Sequence, residues 1–213
     1  MTRNQTGKVV LIGTRNVMNY RLLVILLFPF LVRAQSETYG FGPYQLELTT
    51  PDTLQQAGFA EQSQSYVKGT IALPCTHIRT YKADTTKLAG VTVTNLFVVF
   101  YDNRLARLSC DNTDSLQQVL IAEYGKGAII PVRQLSLCAH DKPVTMWGEV
   151  WNKAGALAYV MYSNGYTADC QPQKSSTFCL SSQRLTALSS DCDIKNLNPL
   201  AHEFEKELLN RRN

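Results

Sequence analysis

Apolar and polar positions alternate with a period of two through much of this chain, the signature of strands with one buried face. Tyr44–Thr49 sets Tyr44, Leu46 and Leu48 against Gln45, Glu47 and Thr49. Tyr66–Leu73 predicts a second strand, and Val91–Tyr101 (VTVTNLFVVFY) is the run richest in β-branched and aromatic residues. Asp102-Asn103 turns it back into Arg104–Cys110, giving a hairpin that directs Ala106, Leu108 and Cys110 to the core. Four more strands are predicted over Val132–Leu137, Val144–Trp151, Ala156–Ser163 and Ser176–Ser182. Asn152-Lys153-Ala154-Gly155 forms the turn of a second hairpin.

Helical spacing is rarer. Thr50 as N-cap and Pro51 at the first helical position open a short helix that Gly58 stops. In Ser115–Tyr124, Leu116, Val119, Leu120 and Tyr124 recur at helical spacing, with Thr113 or Asp114 as cap and Gly125 just past the end. Asn198-Pro199 caps a C-terminal helix of about residues 199–210, whose stripe is Leu200, Phe204 and Leu208. Glu203, Glu205 and Glu207 lie along it, and Arg211-Arg212 suit the negative end of its dipole. The pattern implies an α+β fold: a mostly antiparallel sheet of hairpins, one or two helices packed on one face, and a C-terminal helix.

The one long apolar run breaks this alternation. Met18–Ala34 reads as a secretory signal: Arg21 supplies positive charge, Leu22–Val32 an eleven-residue apolar stretch, and Val32 and Ala34 the small-residue cleavage positions. A helical span needs roughly 20 apolar residues, so cleavage is expected rather than anchorage, leaving no stable membrane span. Arg3, Lys8 and Arg15 precede this signal unusually far upstream, which points to Met18 as the true start. Residues 1–34 are then a signal peptide and 35–213 a single domain, exported to the periplasm or the extracellular space.

Removing the signal changes the charge. The chain holds 21 basic and 17 acidic residues, for a formal net charge of +4. Five of the basic residues (Arg3, Lys8, Arg15, Arg21 and Arg33) and no acid lie in residues 1–34, so 16 basic face 17 acidic residues, a net charge of −1. That balance offers nothing to a nucleic acid or an anionic membrane.

All six cysteines, Cys75, Cys110, Cys138, Cys170, Cys179 and Cys192, follow the cleavage point, and an even number in an exported chain reads as disulfides. Cys170 with Cys179 is the simplest pair, across a loop between two strands; Cys110 and Cys138 bracket a helix, which leaves Cys75 for Cys192. A competing reading joins Cys75, His77, Cys138 and His140, two Cys-x-His pairs, in a metal site.

Motifs for chemistry are few. Gly125-Lys126-Gly127 lacks the spacing of a phosphate loop, Gly40-Phe41-Gly42-Pro43 follows no strand, and neither a G-x-S-x-G elbow nor a zinc helix occurs. Asp191 and Asp193 flank Cys192, and His202 lies on the C-terminal helix; both read as solvated. No cofactor is indicated. The best functional case is aromatic: along Val144–Trp151, Thr145, Trp147, Glu149 and Trp151 share one strand face, and Tyr159 or Tyr162 of the next strand could join them. Trp147, Glu149 and Trp151 are the candidate ligand residues, suited to sugar rings or peptide.

The pattern G-F-G-P-Y-x-L-x-L-T-T-P-D-x-L, and the amphipathic helix ending Glu123-Tyr124-Gly125-Lys126 after a hairpin, resembles small exported bacterial α+β domains over residues 40–185. The resemblance implies a fold and carries no catalytic residues. The expectation is a disulfide-stabilised binding or structural module of the cell envelope or secreted fraction, engaging an envelope or extracellular ligand or protein, rather than an enzyme. The enzymatic alternative is a small hydrolase of wall glycan or peptide using Glu149, His140 and Asp141.

Overall fold

The computed structural model of the chain describes residues 39–54, 58–62, 76–139, 141–153, 155–189 and 199–210, all within the second of its two units, Thr38–Asn213. Ten strands and three α-helices are present among them, and the sheet is mostly antiparallel with few helices, as the alternation implies. Two short strands, β1 (Gly40–Phe41) and β2 (Tyr44–Gln45), pair with each other, and a 3-10 turn covers Pro51–Leu54. The other eight, β3 (Ala60–Gln62), β4 (Ile78–Leu88), β5 (Val91–Tyr101), β6 (Arg104–Asp111), β7 (Ala128–Ala139), β8 (Lys142–Lys153), β9 (Ala156–Tyr166) and β10 (Pro172–Ser182), form one sheet in the order β3-β4-β5-β6-β10-β9-β8-β7. Helix α1 (Asp114–Tyr124) joins β6 to β7, α2 (Gln183–Leu188) follows β10, and α3 (Pro199–Asn210) is the C-terminal helix.

The local reasons are readable. Asp102 and Asn103, at φ 47° and 58°, make the tight two-residue turn of the β5–β6 hairpin. Ala89 and Gly90, at φ 48° and 82°, do the same between β4 and β5. The Thr113 hydroxyl caps α1 by accepting from the Leu116 N–H at 3.2 Å. Gly125, at φ 78°, closes it by donating to the Ile121 carbonyl.

The ladder assigns every side chain to one of two faces. Phe178 lies opposite Cys110 and Val160, and Tyr162 opposite Trp147 and Ser176, so these residues share the first face. There Leu108, Cys110, Val160, Phe178 and Leu180 pack with Leu116 and Leu120 of α1 and with Phe41 and Leu54 of the N-terminal segment. On the second face Tyr159, Met161, Cys179, Met146 and Ile130 pack with Leu200, Ala201, Phe204 and Leu208 of α3. The expected helical stripe Leu200, Phe204, Leu208 is buried at 8%, 2% and 7% exposure, which places it in the core rather than on a partner.

Several expectations change. Tyr44–Thr49 is strand only at Tyr44–Gln45; Glu47 sits at φ 65° and Leu48 is 55% exposed, because this segment turns to bond β6, with the Glu47 N–H donating to the Leu105 carbonyl. Strand β4, which the alternation does not announce, occupies Ile78–Leu88. Leu105 is buried beside Ala106 because a bulge opposite Val99 and Phe100 shifts the β5–β6 register. Strand Tyr66–Leu73, the signal region, Cys75, His140, Asp191, Cys192, Asp193, Asn198 and Arg211-Arg212 lie outside the described residues, as does the side chain of His202.

Glu47 pins the N-terminal segment to the start of α2. Its carboxylate accepts from the Ser182 hydroxyl at 2.5 Å and from Arg184 at 2.5 Å. The Arg184 hydrogen bond is the largest influence on this carboxyl and, against the opposing effect of burial, holds it below its ordinary value of 4.5. A value lower in the folded than in the unfolded chain means that this stabilisation is complete above pH 4.5 and is lost as pH falls through the depressed value. Glu47→Gln is therefore expected to be less stable at neutral pH but to lose less stability on acidification below pH 4.5. Urea midpoints measured against pH check this, and parallel curves would refute it.

Candidate functional site

Strand β8 carries the predicted residues on the expected face, and the structure separates their roles. Trp151 is 8% exposed, and its indole N–H donates to the Gly125 carbonyl at 2.8 Å. Gly127 lies so close to that indole that a Cβ there would come within 2.9 Å of the ring, so the Gly125–Gly127 loop is folded onto Trp151. Trp151 is a core residue, a correction to its expected place in a ligand surface. Its flat ring fills the gap between the sheet and the end of α1.

Trp147, two pairs along the strand, is half-buried and stacks on Tyr162, with ring centroids 5.6 Å apart and planes 15° from parallel. The Tyr162 hydroxyl donates to the Gln117 side-chain oxygen at 2.6 Å, which anchors the stack to α1. Tyr159, the other tyrosine considered, faces away, because adjacent residues of a strand point to opposite sides. Beyond the stack the first face is open. Asn164 and Lys174 are exposed and Thr145 and Tyr166 are half-buried, and on β7 the apolar residues Ile129 and Val132 are 68% and 64% exposed.

Glu149 sits between the two tryptophans in strand order. Its Oε2 is buried and has no hydrogen-bond partner, and the same is true of Asn112 Oδ1. Asn112 is held by its own amide, which donates to the Ser176 hydroxyl at 3.0 Å, and Ser176 lies opposite Tyr162 in the ladder. Glu149 lies on β8 beside the strand of Tyr162, whereas Asn112 follows β6, with β10 between them. Burial, first, with Glu149 and Asp114, pushes the Tyr162 phenol above its ordinary value, while its hydrogen bonds to Gln117 and Asn112 pull the other way.

The cysteines pair differently from the expectation. Cys138 is bonded to Cys170, with Cα atoms 5.1 Å apart, linking the end of β7 to the turn after β9. Cys179 lies well inside β10, more than about 20 Å along the strand from the Cys170 turn, which rules out Cys170–Cys179. Cys110 and Cys179 are free, buried and on opposite faces of adjacent strands, so they cannot join each other and Cys110 does not reach Cys138. Burial raises both thiols, Cys110 to about 12 and Cys179 to about 11, so both stay protonated and inert near neutrality.

The two chemical alternatives come apart. Cys138 is consumed in a disulfide and offers no thiolate, while His77, at the other end of the sheet, bonds Asp102 at 2.7 Å; the four-residue metal reading fails. Among the described residues no group of three or more His, Cys, Asp or Glu is placed to hold a metal. Asp141 is exposed in the β7–β8 turn, about 26 Å along the strand from Glu149, so the hydrolase pair does not assemble.

One cluster has no signal in the sequence. Beneath α3, Arg107 donates to the Tyr159 hydroxyl at 3.0 Å and meets Glu205 at 3.1 Å, and the Tyr159 hydroxyl donates to Glu205 at 2.9 Å. Arg107 and Glu205 are 19% and 17% exposed, enclosed enough that each requires the other. Burial opposes the Arg107 charge, and the Glu205 carboxylate beside it favours that charge. This triad docks α3. A cavity of about 140 Å³ beside it, floored by Met146 and Phe204 between β7 and α3, is smaller than an ordinary ligand site.

No family model, curated protein or solved structure matches the chain.

The two tryptophans should respond differently to truncation. Trp151→Ala is expected to cost about 3–5 kcal/mol, the range for a buried aromatic, and Trp147→Ala about 1 kcal/mol or less. Chemical denaturation of both variants checks this; equal losses would place both rings in the core.

Proposed function

We propose that this protein is an exported, disulfide-stabilised binding module whose ligand docks on the open part of the first sheet face, at Trp147, Tyr162 and Glu149. The observation that carries the reading is the Trp147–Tyr162 stack: two aromatic rings held parallel, fixed from behind by Gln117, at the border between the covered core and an open sheet surface. Aromatic rings spent on packing alone are normally enclosed, as Trp151 and Phe178 are.

Export is supported by the signal pattern of Met18–Ala34 and by the Cys138–Cys170 disulfide. A binding role is favoured over hydrolysis because Asp141, the carboxylate expected to work with Glu149, lies in the β7–β8 turn about 26 Å along the strand from it, whereas acid–base chemistry needs its groups together. The ligand class follows from the surface: a flat ring to stack on Trp147 and polar groups for the strand rims, which sugar rings and extended peptides both supply.

Secreted protein is expected to begin at Gln35, by N-terminal sequencing, and to bind members of a glycan and peptide panel. Trp147→Ala, folded as judged by its near-ultraviolet circular dichroism, is expected to lose that binding at least tenfold. Unchanged binding by the variant, or no binding by the parent, would refute the reading.

A further inference from the structure

We propose that the ligand of the Trp147 face is an acidic saccharide, a chain of sugar rings bearing a carboxylate, seated along the row Lys174, Asn164, Thr145 and Gln134; this rests on the binding-module reading and names its ligand class. Lys174 lies opposite Asn164, Asn164 opposite Thr145, and Thr145 opposite Gln134, so the four residues cross four adjacent strands on one face. The row is about 14 Å long and stands about 7 Å along the strands from Tyr162 and Trp147, toward the open end of the sheet. Lys174, Asn164 and Gln134 are exposed and Thr145 is half-buried. None of the four side chains makes a hydrogen bond or ion pair among the described residues.

The chemistry of the occupant follows from the row. The Asn164 and Gln134 amides and the Thr145 hydroxyl each offer both a donor and an acceptor, as a sugar hydroxyl does in return. Trp147, held against Tyr162, gives the apolar face of a sugar ring its contact. An extended peptide gains affinity by joining the edge of a sheet, but β8, β9 and β10 each have a neighbour on both sides, so the backbone here is already spent. Lys174 is the one ionised side chain in the row, and a second cation, Lys142, lies over the ring of Tyr166, two residues along β9 from Asn164. The carboxylates that act on Tyr162, Glu149 and Asp114, belong to the other side of the aromatic pair, nearer α1. They orient the ligand, with an uncharged part of the sugar against Trp147 and the carboxylate toward Lys174.

The test follows the indole N–H signal of Trp147 in ¹⁵N-labelled full-length protein at neutral pH and low ionic strength. The titrants are the trimers of galacturonic acid and of glucuronic acid, their methyl esters, which keep the rings and lose the charge, and triglutamate, which keeps the charge and has no rings. At least one of the acids is expected to shift the Trp147 signal, and its ester and triglutamate to bind about fivefold more weakly or worse. Lys174→Gln is expected to weaken the acid about fivefold, the scale of one exposed charge pair, and to leave the ester unchanged. Asn164→Ala, which removes a partner of the hydroxyls, is expected to weaken acid and ester alike, about fivefold. The Trp151 indole signal reports an intact core in both variants, and the comparison of acid with ester needs no variant at all.

If the esters bind as well as the acids, or Lys174→Gln binds the acid unchanged, the carboxylate assignment falls while the ligand face stands. If triglutamate binds as well as the acids, the saccharide assignment falls in favour of an acidic peptide. If no titrant moves Trp147 but another member of the glycan and peptide panel does, the acidic saccharide again falls alone. Failure of both the titrants and the panel overturns the binding-module reading itself.

Discussion

Two four-stranded meanders, β3 to β6 and β7 to β10, meet along a single antiparallel ladder in which Arg107–Asp111 pairs with Thr177–Ser181, and the rest of the molecule depends on that register. It sets Leu108 and Cys110 beside Phe178 and Leu180 on one side, and Arg107 beside Tyr159 and Glu205 on the other. Slipping by one residue would drive the Arg107 guanidinium into the aliphatic core under α1 and turn Leu108 toward Glu205. The buried triad of Arg107, Tyr159 and Glu205 therefore acts as a register pin as well as a mount for the C-terminal helix. An apolar replacement would pack as well but would discriminate less between the two faces.

Because both faces of the central strands are covered, the location of the candidate site follows from where the covering stops. Strand β9 is buried from Ala156 to Met161 and opens on the first face from Tyr162 onward, while Ser163 on the other face stays buried. The helix α1 reaches that boundary with Gln117, and the Gly125–Gly127 loop closes over Trp151. Trp147, four residues before Trp151, is left at the margin. Two chemically identical side chains on one strand face thus serve packing and surface respectively, decided by the length of a helix that neither belongs to.

The hairpin Val91–Cys110 was legible because β-branched residues and the Asp-Asn turn are local signals, and α1 because its cap, stripe and closing glycine sit within a dozen residues. Strand β4 was not, because Arg79, Lys82, Asp84 and Lys87 dilute its alternation. The face shared by Trp147, Glu149 and Trp151 could be read from a period of two. Their different burial could not, since it is settled by Gln117 and Gly125 on another element. Disulfide pairing escapes the sequence for the same reason: Cys138 and Cys170 are adjacent only because the end of β7 lies beside the turn after β9.

Among the described residues strand β7 ends the sheet, and its outer backbone would be a template for any extended chain that met it. Pro131 removes one donor from that margin, and the pairing of β7 to β8 jumps between Ile130 and Arg133, which kinks the strand at the point where it is most apolar. Among many like chains, this interrupted margin makes a second copy a poor ninth strand. The same defect that weakens β7 locally thus keeps Ile129 and Val132 available as a surface without making them a seed for polymerisation.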